Sequence, residues 1–360
     1  MSYELSSSVI KQIEKFCKNK PNITLTVGIL DGNEENYLSF TDGGSQLERD
    51  TSDKAYEIGS ITKVFTAVLM AKLIRDGKAE LTTSIAPYIG VKNTQYYYPT
   101  LERLASHTSG LGDAPLSAIK LIGQVVSGVG RKKNIYSGIN GKKLEKKLRE
   151  LNLAPTSYPT KYSHYGIATL GYVLGKIDGR GYKAAIEELC SKDLGLENTV
   201  YGLPSTECGH TATGSEFPGW VWTEKDALAP SDCLASTARD MIKFARANLS
   251  DEFDWMKICH EVRSEYDDYD NFGFGFIIRA DNGVLWHNGS TGVYSSFLGI
   301  DRATGKAIVL LSDYEHKTGE SGVDRIGFEF LCPKPVKAED DEYEEGDEYE
   351  DEEDSTEDNE

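Results

Sequence analysis

The chain has 360 residues, enough for one large or two coupled domains, and 39% hydrophobic residues supply a substantial core. Its 58 acidic against 39 basic side chains give a net charge of −19, yet 16 of the acids lie in residues 339–360, so the remainder stands near −3. A nearly neutral body argues against nucleic acid as a partner. No apolar run approaches the roughly eighteen residues of a membrane span, which argues against membrane insertion. Met1-Ser2-Tyr3-Glu4-Leu5 lacks the basic and then apolar pattern of an export signal, and this predicts a cytoplasmic protein. The cysteines, Cys17, Cys190, Cys208, Cys233, Cys259 and Cys332, are scattered without C-x-x-C spacing and read as buried reduced thiols rather than a disulfide framework or zinc site.

In chain order, residues 5–19 read as an amphipathic helix, and Ile23 to Leu30 and Glu35 to Phe40 as strands separated by the turn Asp31-Gly32-Asn33. A second helix opens at Ser60: Val64, Phe65, Val68, Leu69, Leu73 and Ile74 recur at helical intervals until Asp76-Gly77, predicting an amphipathic, buried segment. Residues 60–260 are largely helical in pattern. Within them, 131–149 gathers eight basic side chains, read as a solvated helix face. Gly123 to Gly130 and Gly138 to Lys143 are glycine-rich but lack G-x-x-x-x-G-K-[ST] after a strand, so no nucleotide site is assigned. Phe274 to Ala280, Val284 to His287, Ser295 to Asp301 and Ala307 to Ser312 read as strands joined by turns at Asp281-Asn282-Gly283 and Ala303-Thr304-Gly305. Strands at both ends and helices between predict an α+β fold with one antiparallel sheet. Residues 1–335 read as the folded domain. Residues 336–360 read as a disordered acidic tail with too little apolar surface to order itself, able to contact a basic surface such as 131–149.

Ser60-Ile61-Thr62-Lys63 places a hydroxyl and an amine three residues apart, on one helix face about a turn apart. Alone, such a pattern is common. Here it is followed in order by Leu104-Ala105-Ser106-His107-Thr108-Ser109-Gly110-Leu111, Tyr162-Ser163-His164, Leu234-Ala235-Ser236-Thr237-Ala238-Arg239-Asp240-Met241, and Trp286-His287-Asn288-Gly289-Ser290-Thr291-Gly292. Together these blocks resemble the serine β-lactamase and penicillin-binding-protein superfamily, in the branch of class C β-lactamases, DD-peptidases, D-aminopeptidases and related esterases. The resemblance runs over roughly residues 8 to 332. It implies the β-lactamase/transpeptidase-like architecture, with a mostly helical region inserted beside the sheet and the active site in the groove between them.

A serine hydroxyl is a poor nucleophile at neutral pH and needs a base close by. Lys63 and Tyr162 are the candidates. Both have ordinary pKa values near 10, so acting as a base at pH 7 requires a downward shift worth roughly 4 kcal/mol, and their mutual proximity makes them one coupled acid–base system. By resemblance, Ser60 is the acyl-forming nucleophile, Lys63 its activator and Tyr162 the group that protonates the leaving group. His164 stands where class C β-lactamases carry asparagine. It can donate a hydrogen bond as asparagine does, but differs in size and titration. Two triplets compete for the superfamily's K-T-G position. Lys317-Thr318-Gly319 matches literally but reads as a loop, whereas His287-Asn288-Gly289 follows a strand and matches the H-x-G variant, so His287 is taken as the counterpart. The resemblance assigns the oxyanion donors to the backbone N–H groups of Ser60 and Ser290. Gly289 and Gly292 permit close backbone approach, and Asn288 and His164 join the substrate-binding set. His107 and Ser109-Gly110 are read as shaping a turn. Phe217, Trp220 and Trp222 read either as an aromatic wall near the groove or as ordinary loop packing.

These readings predict a serine hydrolase that forms a covalent acyl-enzyme on an ester or amide, of esterase or D-amino-acid peptidase type rather than a true β-lactamase. Metal and organic cofactors are not expected, and the partner is a small-molecule or peptide substrate. An acyltransferase using the same acyl-enzyme and a non-catalytic binding relative are the alternatives.

Overall fold

A computed structural model describes residues 3–92, 96–113, 134–315 and 322–333. The acidic tail at 336–360, the Lys317-Thr318-Gly319 triplet and residues 131–133 of the basic cluster lie outside the described residues.

The strands are β1 (Leu25–Asp31), β2 (Glu34–Phe40), β3 (Tyr56–Glu57), β4 (Val200–Tyr201), β5 (Gly209–His210), β6 (Glu216–Phe217), β7 (Leu234–Ser236), β8 (Ser264–Glu265), β9 (Asp270–Phe272), β10 (Ile277–Arg279), β11 (Leu285–Ser290), β12 (Ser295–Asp301) and β13 (Lys306–Ser312). The main antiparallel sheet runs β2-β1-β13-β12-β11-β10-β9-β8, so the N-terminal hairpin docks on the last strand, Leu25 opposite Ser312 and Asp31 opposite Lys306. The α+β architecture expected from strands at both chain ends is therefore observed. Side chains alternate across this sheet. Val27, Ile29, Ile308 and Leu310 face a layer made by helices Ser7–Cys17 and Val323–Leu331, and Leu30, Val309 and Leu311 face the larger helical core. Gly28 sits where the helix Ala238–Leu249 crosses the sheet. A Cβ there would lie 2.8 Å from Ile242.

One expectation is corrected. The helix Thr62–Arg75 is not amphipathic: Thr62 through Ala71 and Leu73 are all buried, including the polar Thr62, Lys63 and Thr66. Apolar side chains around the whole circumference mark a central core helix, and its polar residues serve the site described below. The middle of the chain is largely helical, as expected. Two of its short strands, β4 and β7, join β3 in a small sheet ordered β3-β7-β4, in which Tyr56 pairs with Ser236 and Glu57 with Ala235. Strands of two or three residues leave no period to read in a sequence. This sheet fixes the approach to Ser60, since the Ile58 amide continues the pairing by donating to Leu234 O at 3.0 Å.

All six cysteines are free thiols. Among the described residues, no helix is long and apolar enough to cross a membrane.

Candidate active site

Ser60 lies in a single 3-10 turn, Gly59–Ile61, that leads directly into the helix Thr62–Arg75. The turn is held from two sides. Thr62 Oγ1 accepts from the Leu234 amide at 3.0 Å, and Ser296 Oγ donates to Ile58 O at 2.9 Å. Gly59 adopts φ +48°, and a Cβ on it would stand 2.8 Å from the Ser290 nitrogen. The Gly289 position is tighter still: a Cβ there would lie 2.1 Å from Ile58 O. These two glycines let β11 close against the Ser60 turn, and the Ser290 amide reaches that turn because neither residue carries a side chain.

Lys63 is fully buried. Its ammonium donates to Ser60 Oγ at 2.8 Å, to Ser231 O at 3.0 Å and to Asp232 Oδ1 at 3.4 Å. Ser60 Oγ in turn donates to Asp232 Oδ1 at 2.9 Å, and Ser231 Oγ lies between Asp232 Oδ2 at 2.6 Å and Leu228 O at 2.7 Å. Although burial alone raises a carboxyl pKa, the Lys63 ammonium leads the opposing causes, with His164 and the two serine hydroxyls, and holds Asp232 below the usual carboxylate range.

Asp232, which contacts both Ser60 and Lys63, is the residue of this cluster that the sequence reading does not include. It ends the four-residue helical turn Ala229–Asp232, two residues before the Leu234–Met241 block. The available signal was its charge: Asp232 is the only ionisable carboxylate, lysine or arginine in the stretch from Ala227 to Ala238, and a lone charge in a small and apolar run requires a buried partner.

Tyr162 sits in the loop before the helix His164–Asp178, which Ser163 caps by accepting from the Gly166 amide at 2.8 Å. His107 clamps that loop on both sides of the tyrosine. Its carbonyl accepts from Lys161 N at 2.9 Å, its Nδ1 accepts from Ser163 N at 3.1 Å, and its ring stacks on Tyr162 with centroids 4.9 Å apart. An unprotonated Nδ1 fits a neutral imidazole, and burial together with the nearby Lys63 charge keeps the His107 pKa well below its ordinary range. A positive φ of 59° at His107 makes this geometry reachable. The Lys63 ammonium lies 5.2 Å from the Tyr162 ring centroid, and the phenol interacts with both Ser60 and Lys63. Burial nevertheless raises the Tyr162 pKa above its usual value and outweighs the opposing pull of Lys63, so the phenol is neutral at pH 7.

His287 is buried on β11, and its ring centroid is 6.1 Å from that of Tyr162. Its Nδ1 pairs with Asn288 O at 2.6 Å, and Nε2 has no hydrogen-bond partner among the described residues. Burial, then Lys63, lowers its pKa to about 3. It is a neutral imidazole with a free acceptor nitrogen. Asn288 and Ser290 are exposed and alternate with the buried His287 and Gly289. His164 Nδ1 lies 2.8 Å from Asp113 Oδ1, and its Nε2 is 3.7 Å from Asp232 Oδ2.

Tyr136 stacks on His164 at 5.5 Å and meets Trp220 edge-on at 5.9 Å, while Trp220 approaches Trp222 at 6.2 Å. The two tryptophans are thus connected to the site's wall. Phe217 is buried in the β5-β6 hairpin. Glu57, one turn before Ser60, is buried and ties this wall to β11. Its carboxyl oxygens accept from the Trp220 amide and from Thr291 Oγ1.

The structure therefore brings Ser60, Lys63, Tyr162, His164, His287, Gly289 and Ser290 into one cluster where β11 meets the head of the central helix, and adds Asp232. The family profile described as Beta-lactamase matches residues 19–327. The chain belongs to the beta-lactamase family. A beta-lactamase of Providencia stuartii is 28% identical over 208 residues, covering 57% of this chain and 50% of its own length. The chain spans about half the length of the curated relatives it matches first. Among solved structures, a class C beta-lactamase from Rhodobacter sphaeroides superposes with a TM-score of 0.70 at 17% identity, covering 90% of this chain and 97% of that one. A D-stereospecific amidohydrolase from Streptomyces sp. gives 0.68 at 18%, covering 92% and 100%. The chain has the β-lactamase/transpeptidase-like fold of the serine acyl-enzyme hydrolases.

Proposed function

We propose that this protein is a serine hydrolase that forms a covalent acyl-enzyme through Ser60 and cleaves an ester or amide, of esterase or D-amino-acid peptidase type. The observation that carries the reading is the setting of the Ser60 hydroxyl, which accepts from the Lys63 ammonium and donates to a carboxylate at the head of a buried helix. A donor on the oxygen stabilises the alkoxide that forms, and an acceptor on its proton prepares that proton to leave.

Ser60 Oγ attacks the carbonyl carbon, and the resulting oxyanion sits between the Ser60 and Ser290 amides, preorganised donors of the kind worth about 2.7–4 kcal/mol each in the transition state. The neutral Tyr162 phenol gives its proton to the departing alcohol or amine. Water then attacks the acyl carbon and releases Ser60. His287 offers Nε2 as an acceptor on the substrate side, and Asn288 and His164 contact the substrate. The aromatic wall of Tyr136, Trp220 and Trp222 favours an apolar acyl or leaving group.

Histidines at 164 and 287 stand where β-lactamases resembling this chain use asparagine and lysine to recognise the amide and carboxylate of a penicillin. Steady-state kcat/KM on a nitrophenyl ester, a penicillin and a D-alanyl peptide tests the reading. The ester or the peptide is expected to exceed the penicillin by tenfold or more. Equal rates on penicillin and ester contradict the esterase or peptidase assignment.

A further inference from the structure

A cavity of about 830 Å³ lies between the helix His164–Asp178, the start of the helix Tyr182–Glu188 and residues 224–227. None of Ser60, Lys63, Tyr162, His164 and His287 lines it. Its volume is that of an ordinary small-molecule site, roughly 300–1,000 Å³. Three half-buried tyrosines, Tyr172, Tyr182 and Tyr201, line it, and each hydroxyl is already engaged. Tyr172 donates to Glu145 Oε1 at 2.7 Å and Tyr201 to Thr223 O at 2.8 Å, while Tyr182 Oη meets Thr66 Oγ1 of the central helix at 2.7 Å. These side chains therefore offer the cavity ring surface more than O–H groups, and the buried Ala227 and Pro230 extend that apolar lining. Thr66 Oγ1 also donates to Pro230 O at 2.7 Å, so the tyrosine and the proline are both fixed to the central helix and the cavity is preformed.

The rim is cationic. Lys142, Lys176, Arg180 and Lys225 are exposed members of the lining and Lys183 is half-buried, against three acids, Glu187, Glu224 and Asp226. Most of these charges are already answered. Lys183 holds Glu187 at 2.6 Å, Lys176 holds Glu145 at 2.5 Å and Arg180 holds Asp178 at 2.8 Å, while Asp226 Oδ2 accepts from the Thr223 amide and hydroxyl at 2.8 Å. Among the described residues, Lys142, Lys225 and Glu224 have no ion-pair partner, which leaves two cations against one anion at the mouth of the cavity. A positive mouth runs against the net charge of −19 that the whole chain carries.

We propose that this cavity is a second ligand site, built for a small organic anion that carries an aromatic ring system. The rings pack against the tyrosines and Pro230, and the acid group stays at the mouth, where the ammonium groups of Lys142 and Lys225 meet it and water still hydrates it. The site is separate from the Ser60 cluster yet shares one helical turn with it: Pro230 lines the cavity, and Asp232 of the same turn contacts Ser60.

The test is fluorescence titration at about pH 7 with anilinonaphthalene sulfonate, an aromatic anion, and with phenylnaphthylamine, the same ring system without the sulfonate. Near-ultraviolet circular dichroism accompanies each titration, because the anionic dye also reports loosened cores. Wild type should bind one sulfonate per chain at least fivefold more tightly than the neutral amine, with an affinity that falls as salt is raised. Lys142→Ala combined with Lys225→Ala should weaken the sulfonate about five- to tenfold, as two exposed charge contacts allow, and leave the amine unchanged. Glu224→Gln should tighten the sulfonate, and Ala184→Trp, which puts a large side chain into the lining, should remove both probes. His164→Ala, at the Ser60 cluster, should bind like wild type. Equal affinities for the two probes, a lysine double variant within twofold of wild type, or loss of binding in His164→Ala overturns the proposal. The lysine variant alters exposed side chains only, so it decides the matter even where Ala184→Trp fails to fold. Binding is read without turnover, so these outcomes are independent of the acyl-enzyme reading.

Discussion

Glu57→Gln should change how the stability of the protein depends on pH, and the size of the effect follows from the burial of this side chain. Glu57 is 3% exposed, and burial, resisted by the hydroxyl of Thr291 and the amide of Trp220, raises its pKa from 4.5 to about 7, with the Asp232 charge adding to the rise. The unfolded chain releases this proton near the ordinary value while the folded chain holds it, so the folded state binds more protons between about pH 4.5 and 7. Stability from this group is complete below the lower value and is lost as pH rises through the upper one. A displacement of that size corresponds to about 3 kcal/mol. Glutamine is neutral throughout, and its amide can still accept from the Trp220 N–H and donate to Thr291 Oγ1. Urea unfolding of wild type and E57Q at half-unit steps from pH 4.5 to 8 measures the difference. E57Q should gain on wild type by up to about 3 kcal/mol across that interval, with the gain complete above pH 7. A difference between the two proteins that stays constant with pH refutes the reasoning.

Gly289→Ala should lower kcat/KM about 100-fold, because a Cβ 2.1 Å from Ile58 O forces β11 away from the Ser60 turn, and displacements near 1 Å at a reacting centre carry losses of that order; ester kinetics on the folded variant checks it. His107→Ala should slow turnover about 10- to 100-fold by freeing the loop that holds Tyr162, while His107→Asn, which tolerates positive φ and keeps an acceptor for the Ser163 amide, should recover part of that loss; the pair is compared by kcat. His287→Ala should impair ester turnover at least tenfold, whereas Lys317→Ala should be nearly silent, and the reverse order in a side-by-side assay would transfer the strand-edge role to the lysine triplet.

The parts of the fold legible in the sequence are those whose side chains repeat over many residues. Val27, Ile29 and Leu310 alternate with their neighbours, and the turns at Gly32, Gly283 and Gly305 carry the positive φ that glycine allows. The long strands from the two chain ends and the order of the motif blocks could therefore be read directly. The β3-β7-β4 sheet could not, because pairing of two or three residues is dictated by long-range contact with the Ser60 turn and leaves no local period. The central helix was located but its environment was misjudged: Thr62, Lys63 and Thr66 look like a polar face until Leu234, Ser231 and Pro230 are seen to close over them. The same distance in sequence hid Asp232, 172 residues from the hydroxyl it touches. His107 offers a comparable lesson. It was legible as a turn residue, and it is one, but its turn grips Tyr162 through two backbone hydrogen bonds and a stacked ring.

The central claim is that Ser60 carries the acyl group, and intact-mass analysis after brief exposure to an activated ester measures this most directly. Wild type should gain the mass of one acyl group, located on the peptide that contains Ser60, and lose it again as the substrate is exhausted. Ser60→Ala, which removes one oxygen from a half-buried position, should fold normally and gain nothing. An adduct of the same mass and rate on Ser60→Ala, or wild-type turnover in that variant, would contradict the account.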